Sequence, residues 1–387
     1  MEDNMQRCKI CTLPITWETL YFDDEGICNI CRNWETKQKE INWEQREKDL
    51  IKILEEVKEK QKKENKPYDC LVPFSGGKDS TFTLYMVVKK YGLRPLVISF
   101  DHGFYRSKTM SNRIRTFRRL GVDVITFSPN WRIVKKLMIE ALIRKGDFCW
   151  HCHAGIFAYP MQIAIKFNIP LLIWGEGGGE YEGYFKFADL EETDEWKFNR
   201  RIILGMRAED MAGFIGEDLR DLSPYIYPPK KELERINVKS LPLGNFIQWN
   251  QEAFAEVIKR ELGWEEDEVE SLFPPKPTFD KVECMLTGIR DYIKFLKRGF
   301  SRITHRTTID IKQGKITRDE GLKLIEQFEK VKPASLSYFL ELIDLSEEEF
   351  NKICLMHVIS PAKPIDPYSL PEGVKLWDQD LWFRDIK

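Results

Sequence analysis

Nothing in this 387-residue sequence reads as a membrane span or a signal peptide. No apolar run approaches the length of a membrane span, and the first residues, Met1 to Asn4, are polar and acidic. Neither sign of charge dominates, because 60 basic side chains oppose 62 acidic ones and the net charge is −2. We therefore expect a cytoplasmic protein of two or three domains that binds no membrane and for which nucleic acid is not an expected partner.

The sequence also lacks a Walker A loop. That loop needs an early glycine and a Ser or Thr after its lysine, whereas Val72 and Asp79 stand at those positions. A different glycine turn connects a strand-like stretch to a helix-like stretch: Ser75-Gly76-Gly77-Lys78-Asp79-Ser80. Paired glycines allow a ligand close to the backbone, and a helix N-terminus favours an anion. With one lysine and two hydroxyl donors, this turn predicts a phosphate site.

This turn resembles the PP-loop signature of ATP pyrophosphatases, Ser-Gly-Gly-x-Asp-Ser. Members of that superfamily cleave ATP between the α and β phosphates, adenylate a substrate oxygen and let a nucleophile expel AMP. The resemblance implies that Phe74 and the six loop residues bind ATP. It also implies that Asp79 lies near pyrophosphate and Mg²⁺, so that Lys78 and Asp79 are catalytic candidates.

Strand-like and helix-like patterns alternate through the middle of the chain. Apolar stretches predict strands at 68–74, 95–100, 122–127 and 170–174. Amphipathic stretches predict helices at 79–91, 107–120, 131–145 and 154–167. Such alternation is typical of an α/β fold with a parallel, doubly wound sheet. We expect the PP-loop (adenine nucleotide α-hydrolase-like) type, with a zinc knuckle before it and a helical region after it.

Two other segments follow predicted strands and share the sheet edge where ligands bind. Phe100, Asp101 and His102 form the first, and the PP-loop resemblance puts them beside the adenosine of ATP. Gly175 and Glu176 form the second, where a carboxylate beside a run of glycines suits Mg²⁺ or substrate. The alternatives are a structural histidine at the first segment and a solvated acidic loop at the second.

Nine cysteines in a cytoplasmic chain favour metal binding or reactive thiols over disulfides. Two Cys-x-x-Cys pairs separated by 16 residues have the spacing of a four-thiolate zinc site: Cys8, Cys11, Cys28 and Cys31. A segment this short cannot build a core, so Zn²⁺ would supply its folding energy. Free thiols, a cluster or a redox role are the alternatives.

A second group of metal-binding residue types lies within one short segment, Cys149-Trp150-His151-Cys152-His153. These residues could bind a metal ion, hold a cluster together with a third cysteine, or line a pocket. Equally, the segment could be a buried bend whose thiols pack as small hydrophobic groups. The sequence alone leaves these alternatives open.

The patterns divide the chain into four predicted regions. These are a zinc-binding knuckle (1–40), a charged, solvated linker helix (41–66), a PP-loop ATP pyrophosphatase domain (67–230) and a mainly helical C-terminal region (231–387). Basic residues at 301–318 make the last region locally basic. They would contact the phosphates of a sugar nucleotide or form a solvated face.

Several stretches together resemble the N-acetyl sugar amidotransferases of surface-polysaccharide and flagellin-glycan biosynthesis. They are the knuckle with Phe22, Asp23 and Gly26, the glycine turn, 146–156, 167–176 and 310–320. The resemblance implies ATP-dependent conversion of an acetamido group, on a nucleotide-linked N-acetyl sugar, to an acetamidino group. Glu176, chosen for its place after a predicted strand, joins Lys78 and Asp79 as a catalytic candidate. Residues 181–280 match least, so substrate choice is least certain there.

The same resemblance implies that ammonia comes from a separate glutaminase, with a barrel subunit of the imidazole-glycerol-phosphate-synthase type as its channel. The sequence is consistent with an external source of ammonia, since we find in it no nucleophile elbow with a Cys-His-Glu set for glutamine hydrolysis.

Two alternative functions stay open. The first is tRNA thiolation, which also combines a PP-loop with Cys-x-x-Cys elements and zinc. The near-neutral charge weakens it, but a local group of arginines keeps it open: Arg113, Arg115, Arg118 and Arg119. The second is a non-enzymatic zinc-knuckle adaptor, which ATP binding would exclude.

Overall fold

A five-stranded parallel sheet forms the centre of the computed structural model, which describes residues 5–17, 20–175, 198–203, 205–270 and 277–359. The strand order is β3-β2-β1-β4-β5. The strands are β1 Cys70–Pro73, β2 Pro95–Phe100, β3 Asp123–Phe127, β4 Leu171–Trp174 and β5 Lys239–Pro242. The predicted α/β fold is confirmed, and β5 adds a strand that the sequence patterns did not indicate.

The helices of the described residues surround this sheet and continue beyond it. Those up to β5 are α1 Asn29–Glu40, α2 Trp43–Lys63, α3 Lys78–Tyr85 with a π-helical extension Met86–Lys90, α4 Ser107–Leu120, α5 Trp131–Lys145, α6 Trp150–Phe167, α7 Ala208–Ile215 and α8 Lys230–Arg235. Those after it are α9 Gln251–Leu262, α10 Thr287–Arg298, α11 Arg302–Lys312, α12 Arg318–Phe328, α13 Leu336–Ile343 and α14 Glu347–Met356. A short antiparallel pair joins β6 Asp267–Glu268 to β7 Pro277–Thr278.

The central strands β1, β2 and β4 are buried on both faces because nearly all of their side chains are apolar. In β1, Leu71 packs into one apolar cluster with α5 and α6, while Val72 packs into another with α2, α3 and α9. Successive strand residues point to opposite faces, so each face has its own core. This double covering is what a parallel sheet requires.

The strand order reverses at β1, which has β2 on one side and β4 on the other. In doubly wound sheets the crevice at such a reversal, beyond the carboxyl ends of the strands, is where ligands bind. The glycine turn follows β1, and Gly175 follows β4. Both predicted segments therefore lie at the crevice.

Helix α2, predicted as a solvated linker, also packs on the nucleotide domain. Leu50 and Leu54 are buried in the apolar cluster beneath β1. Glu47 pairs with Lys90 at 2.5 Å and accepts a hydrogen bond from the Tyr91 hydroxyl at 2.8 Å. The apolar stripe of the helix is thus a docking face, and Glu47 adds polar contacts beside it.

The helical C-terminal region contacts both the sheet domain and the knuckle. Phe339 and Ile289 share an apolar cluster with Phe148 and α5. Strand β5 lies past residue 230, where the sequence patterns put the end of the PP-loop domain. The four predicted domain limits stay a prediction.

Candidate nucleotide site and metal centre

The glycine turn between β1 and α3 is held open by its own hydroxyl groups. The Ser80 Oγ accepts hydrogen bonds from the backbone N–H of Gly76 at 3.1 Å and of Ser75 at 3.3 Å. Gly76 has φ +92°, and a Cβ there would lie 2.6 Å from the Cγ of Arg113. Only glycine fits this position. The turn is therefore a preorganised concave loop at a helix N-terminus, the arrangement that suits a phosphate.

Lys78 and Asp79 begin helix α3 and form an ion pair of 2.7 Å. Lys78 is only 4% exposed. The Nε1–H of Trp249 donates a hydrogen bond to the other carboxylate oxygen of Asp79 at 3.2 Å. The carboxylate is thereby fixed in orientation, and carboxylates with remaining lone pairs are the ligands that Mg²⁺ uses in phosphate sites.

Gly175, at the end of β4, comes directly against this helix start. A Cβ at Gly175 would lie 3.4 Å from the Cβ of Asp79 and from the Oγ1 of Thr83. The loop and Gly175 are thus brought together as expected. Glu176, the third catalytic candidate, lies outside the described residues, and its role stays a prediction.

Three residues that the sequence analysis did not assign to ATP binding also hold the loop. The Nε1–H of Trp264 donates to the Gly76 carbonyl at 3.2 Å, and the Nη1 of Arg113 donates to the Ser75 carbonyl at 3.4 Å. Trp249 is the third. They come from α4 and from the segments flanking α9, far from the loop in sequence. No spacing pattern marks them, so only tertiary packing shows their position.

A segment just after β7 lies over the loop from the C-terminal side. Glu283 approaches so closely that a Cβ on Gly77 would be 3.0 Å from its Oε2. The Lys78 Nζ lies 5.6 Å from the ring centre of Phe279. The Oγ1 of Thr109 donates to the Val282 carbonyl at 2.6 Å, which ties the segment to α4.

Another carboxylate of the same segment, Asp280, faces the loop lysine. Burial acts to raise the pKa of Asp280, but Arg302, Lys78 and other nearby cations outweigh it and hold the pKa below its usual value. Asp280 is therefore ionised at neutral pH. Asp79, Asp280, Glu283 and Lys78 together give the crevice both signs of charge. Asp79 and Glu283 are carboxylates, the type of ligand that Mg²⁺ takes beside phosphate.

The second predicted segment lies at the end of β2, but two of its side chains point into the interior. The Phe100 ring fills the space over Gly155, where a Cβ would come within 2.1 Å of it. Asp101 caps its own turn by accepting from the Gly103 N–H at 2.8 Å. His102 is 4% exposed, and burial, together with the nearby His151, lowers its pKa to about 3. The adenosine role of the three residues stays a prediction.

The four knuckle cysteines converge on one point. The Sγ atoms of Cys8 and Cys31 are 3.9 Å apart, those of Cys11 and Cys28 are 3.8 Å apart, and all four lie within 4.8 Å of one another. These separations match the edges of a tetrahedron of Zn–S bonds of about 2.3 Å. The four thiols are also fully enclosed, at 0–3% exposure. The residues fit a structural zinc ion, which would tie the two Cys-x-x-Cys turns together.

The knuckle is fixed to the C-terminal helices by polar contacts. Arg318 donates from its Nε to the carbonyls of Cys8 and Cys11, both at 3.1 Å. Thr12 hydrogen-bonds with Thr307 at 3.0 Å through their hydroxyl groups. Beyond these contacts, Trp17 packs on Phe300. The knuckle therefore contacts the same C-terminal region that supplies the segment over the nucleotide loop.

A Ser-Gly-Gly-Lys-Asp-Ser turn at the reversal point of a parallel sheet is the arrangement that the PP-loop resemblance predicts. Residues 273–360, which we call the WbpG-like region, match the family described as "LPS biosynthesis protein WbpG-like, C-terminal domain". This match confirms the predicted resemblance to a polysaccharide-biosynthesis family for that part of the chain.

Two curated proteins are similar to parts of this chain. The uncharacterized protein MJ1599 of Methanocaldococcus jannaschii is 24% identical over 171 residues, which cover 44% of this chain and 58% of that protein. A glutamine-hydrolysing GMP synthase of Pyrobaculum aerophilum is 30% identical over 91 residues, which cover 24% of this chain and 17% of that protein. The chain thus spans about half of the first relative and a small part of the second.

Two solved structures are also similar. NMN synthetase from Francisella tularensis has a TM-score of 0.29 and 13% identity, over 57% of this chain and 96% of that chain. The U34-tRNA thiolase NcsA from Methanococcus maripaludis, solved with its 4Fe–4S cluster, has a TM-score of 0.31 and 13% identity, over 86% and 92%. Neither superposes well enough to indicate a function.

Among the described residues, no helix has the length and apolar character that crossing a membrane demands.

Proposed function

We propose that this protein is an ATP-dependent amidotransferase of lipopolysaccharide or related surface-glycan biosynthesis. It would convert the acetamido group of a nucleotide-linked N-acetyl sugar to an acetamidino group. One observation supports this most: the WbpG-like region packs directly over the PP-loop, with Glu283 against Gly77 and Phe279 beside Lys78. The region that matches a lipopolysaccharide-biosynthesis family thereby contributes side chains to the proposed ATP-binding site.

The chemistry requires an activated oxygen, because an amide oxygen is a poor leaving group. The acetamido oxygen attacks the α-phosphorus of ATP, the bond to the β-phosphate breaks, and pyrophosphate leaves. Ammonia then adds to the amide carbon, the C–O bond breaks, and AMP departs with the former amide oxygen. The products are the acetamidino sugar, AMP and pyrophosphate, and a proton is released to solvent.

The loop has suitable groups for this sequence. Its backbone N–H groups and Lys78 would bind the departing pyrophosphate, whose charge increases in the transition state. Asp79, held between Lys78 and Trp249, and Glu283 would hold Mg²⁺, which neutralises phosphate charge. Because stabilisation of developing charge acts chiefly on the transition state, loss of these groups should lower kcat.

Ammonia would come from a partner glutaminase, through a barrel subunit of the imidazole-glycerol-phosphate-synthase type. Glutamine hydrolysis releases ammonia, and the similar GMP synthase carries glutamine hydrolysis in its name. Free ammonia is scarce at neutral pH, so delivery beside the adenylated amide would raise its local concentration and exclude water. The protein alone should use ammonium chloride at raised pH, whereas glutamine should suffice once the partners are present.

Oxygen-18 labelling tests the proposed reaction. A panel of nucleotide-linked N-acetyl sugars carrying ¹⁸O in the acetamido group is incubated with ATP and ammonium chloride. We expect ¹⁸O to appear in AMP and the sugar product to carry nitrogen in its place. Release of ADP and phosphate, or AMP without label, would rule the mechanism out.

A second candidate function is tRNA thiolation, in which sulfur would replace ammonia as the nucleophile after the same adenylation. The thiols of Cys149 and Cys152, at the start of α6, favour it, since sulfur transfer uses thiols. The arginines of α4 weaken it, because Arg113 is buried, Arg115 pairs with Glu265 at 2.7 Å and Arg119 donates to the Glu261 carbonyl. A tRNA gel shift with salt titration separates the two functions, since RNA binding should weaken steeply with salt.

A further inference from the structure

Helices α10 and α11 contact each other through side chains that are rich in positive charge. Arg290, Lys294 and Arg298 follow one another at four-residue spacing along α10 and therefore share one face of that helix. The Nζ of Lys294 lies 3.4 Å from the Nε2 of His305, so this face is turned towards α11. Arg302, at the start of α11, adds a guanidinium group to the same place.

Arg302 is fixed by one carboxylate and keeps a donor for another group. Its Nε and Nη2 lie 3.3 and 3.5 Å from the two carboxylate oxygens of Asp291, which is 2% exposed. Its Nη1 lies 4.0 Å from the Oδ2 of Asp280, beyond hydrogen-bond reach, and makes no hydrogen bond within the described residues. Because the Arg302 side chain is 14% exposed, this oriented donor stays accessible to a ligand.

Lys281, next to Asp280, is held in an uncommon backbone conformation. Its φ is +53°, in the left-handed region that few residues other than glycine and asparagine adopt. The turn is fixed by the Asp280 N–H, which donates to the Oγ1 of Thr278 at 3.0 Å. The Lys281 side chain is partly buried. Burial lowers the pKa of His305, and Lys281 is among the cations that add to this effect, so its ammonium group lies near α11.

We call Lys281, Lys294 and Arg302 the basic cluster, and the protein gives it little negative charge. Neither Lys281 nor Lys294 forms an ion pair within the part of the chain that the structure describes. Burial, with help from Arg290 and Arg302 and against the effect of Asp291, lowers the pKa of Lys294 to about 7. Cations withdrawn from water are normally paired, so an anion that the chain does not supply would complete the cluster.

The basic cluster adjoins the nucleotide loop through Phe279. The centre of its ring lies 5.6 Å from the Nζ of Lys78 and 5.7 Å from the Cζ of Arg306, one turn after Arg302 on α11. Asp280, which lies 4.0 Å from Arg302, follows Phe279 directly in the chain. A single aromatic side chain thus separates the loop lysine from the cations of α11, so one substrate can reach both.

The ligand follows from the proposed function, on which this inference rests. A nucleotide-linked N-acetyl sugar carries its charge on a diphosphate, and the sugar ring separates that diphosphate from the acetamido group that meets ATP. We propose that Lys281, Lys294 and Arg302 bind the diphosphate of the nucleotide sugar and direct its acetamido group towards the loop. A guanidinium group donates to phosphate oxygens in fixed geometry, and the two lysines add point charges.

Isothermal titration of the full chain tests this site without turnover. The loop is first occupied by α,β-methylene-ATP with Mg²⁺, and the probes are UDP, GDP, CDP and dTDP, each compared with its nucleoside. We expect at least one diphosphate to bind, and to bind more tightly than its nucleoside.

Lys281→Asn removes a cation and keeps a residue type that tolerates the left-handed backbone. It should weaken diphosphate binding about tenfold, and Arg302→Gln should do so at least as much. Neither change should alter the Kd of the ATP analogue. Lys323→Gln, an exposed change on α12, is the matched control and should leave diphosphate binding unchanged.

The proposal is overturned if no diphosphate binds the loaded protein, or if Lys281→Asn and Lys294→Gln bind it as wild type does. These two variants decide the question even if Arg302→Gln fails to fold. It is also overturned if nucleoside binding falls as much as diphosphate binding, since the cations would then not contact phosphate. Diphosphate binding that depends on the cluster, without ¹⁸O transfer to AMP, would keep the site and exclude the proposed reaction; labelled AMP with unchanged binding in the variants would do the reverse.

Discussion

The knuckle and the nucleotide crevice are both rich in groups that bind charged ligands, but they are built in opposite ways. The knuckle takes its four thiols from one short stretch and encloses them fully. The crevice takes its groups from β1, β4, α4, the flanks of α9 and the segment before α10, and keeps carboxylates and cations facing each other. A metal site enclosed by four protein ligands is typical of a structural role, whereas a site with an open coordination position is typical of catalysis. The WbpG-like region contacts both sites.

The largest effect should come from removing the knuckle metal. Structural zinc contributes on the order of 10 kcal/mol to folding of such short segments, so Cys8→Ser with Cys28→Ser should unfold the knuckle. We expect loss of about one zinc per chain by elemental analysis, and rapid proteolysis near Trp17. The control Cys354→Ser should retain zinc. If the protein without zinc kept a folded knuckle, the knuckle would not depend on metal, and the contrast with the crevice would be wrong.

Asp79→Asn should leave the fold intact and remove turnover. The carboxylate is fixed by Lys78 and Trp249, and it acts on charge that develops in the transition state. We expect kcat to fall about 10²–10³-fold, with the Kd of ATP changed only a few-fold. Steady-state release of pyrophosphate and isothermal titration measure the two quantities. Asp221→Asn, an exposed change, is the control; an unchanged kcat in Asp79→Asn would exclude this residue from the site.

Glu283→Gln tests whether the C-terminal region belongs to the crevice. The change removes charge beside Gly77 and keeps the shape of the side chain. If Glu283 helps to hold Mg²⁺, kcat/KM for ATP should fall about tenfold, with partial recovery at high Mg²⁺. Glu348→Gln, on the exposed face of α14, should have no effect. No Mg²⁺ dependence would mean that Glu283 only packs against the loop.

This contrast also explains what the sequence could predict. Four cysteines with fixed spacing and six contiguous loop residues are local patterns, so the knuckle and the loop were found before the structure. The sequence predicts β1, β2 and β4 because each is a short, nearly continuous apolar run. Strand β5 was missed, since Lys239-Ser240-Leu241-Pro242 carries no such run.

The remaining crevice residues depend on contacts between distant segments. Trp249 and Trp264 donate indole N–H groups to the loop from either side of α9, and nothing in their local sequence marks them. Helix α6 starts at Trp150, earlier than the predicted 154, and that extra turn is what brings Cys152 onto a helix N-terminus.

The smallest effect concerns Lys294, which lies between the two sites. Its Nζ is 3.4 Å from the Nε2 of His305, and the His305 ring is 4.7 Å from that of Trp17 in the knuckle. Burial, with help from Arg290 and Arg302 and against the effect of Asp291, lowers the pKa of Lys294 to about 7. Burial also lowers the pKa of His305 well below its usual value, so His305 is neutral throughout the range above pH 7.

The folded state therefore binds fewer protons at Lys294 than the unfolded state between pH 7 and about 10, where a free lysine is still charged. The free energy of unfolding of the wild type should rise with pH in that window because of this group.

Lys294→Met removes the buried cation, so the variant should be more stable than wild type by about 1–2 kcal/mol near pH 7, and this advantage should disappear towards pH 10. Urea unfolding at several pH values measures the difference, with exposed Lys323→Met as control. A difference that does not change with pH would show that Lys294 is charged in the folded state, and would make the contact between knuckle and crevice an ordinary packed interface.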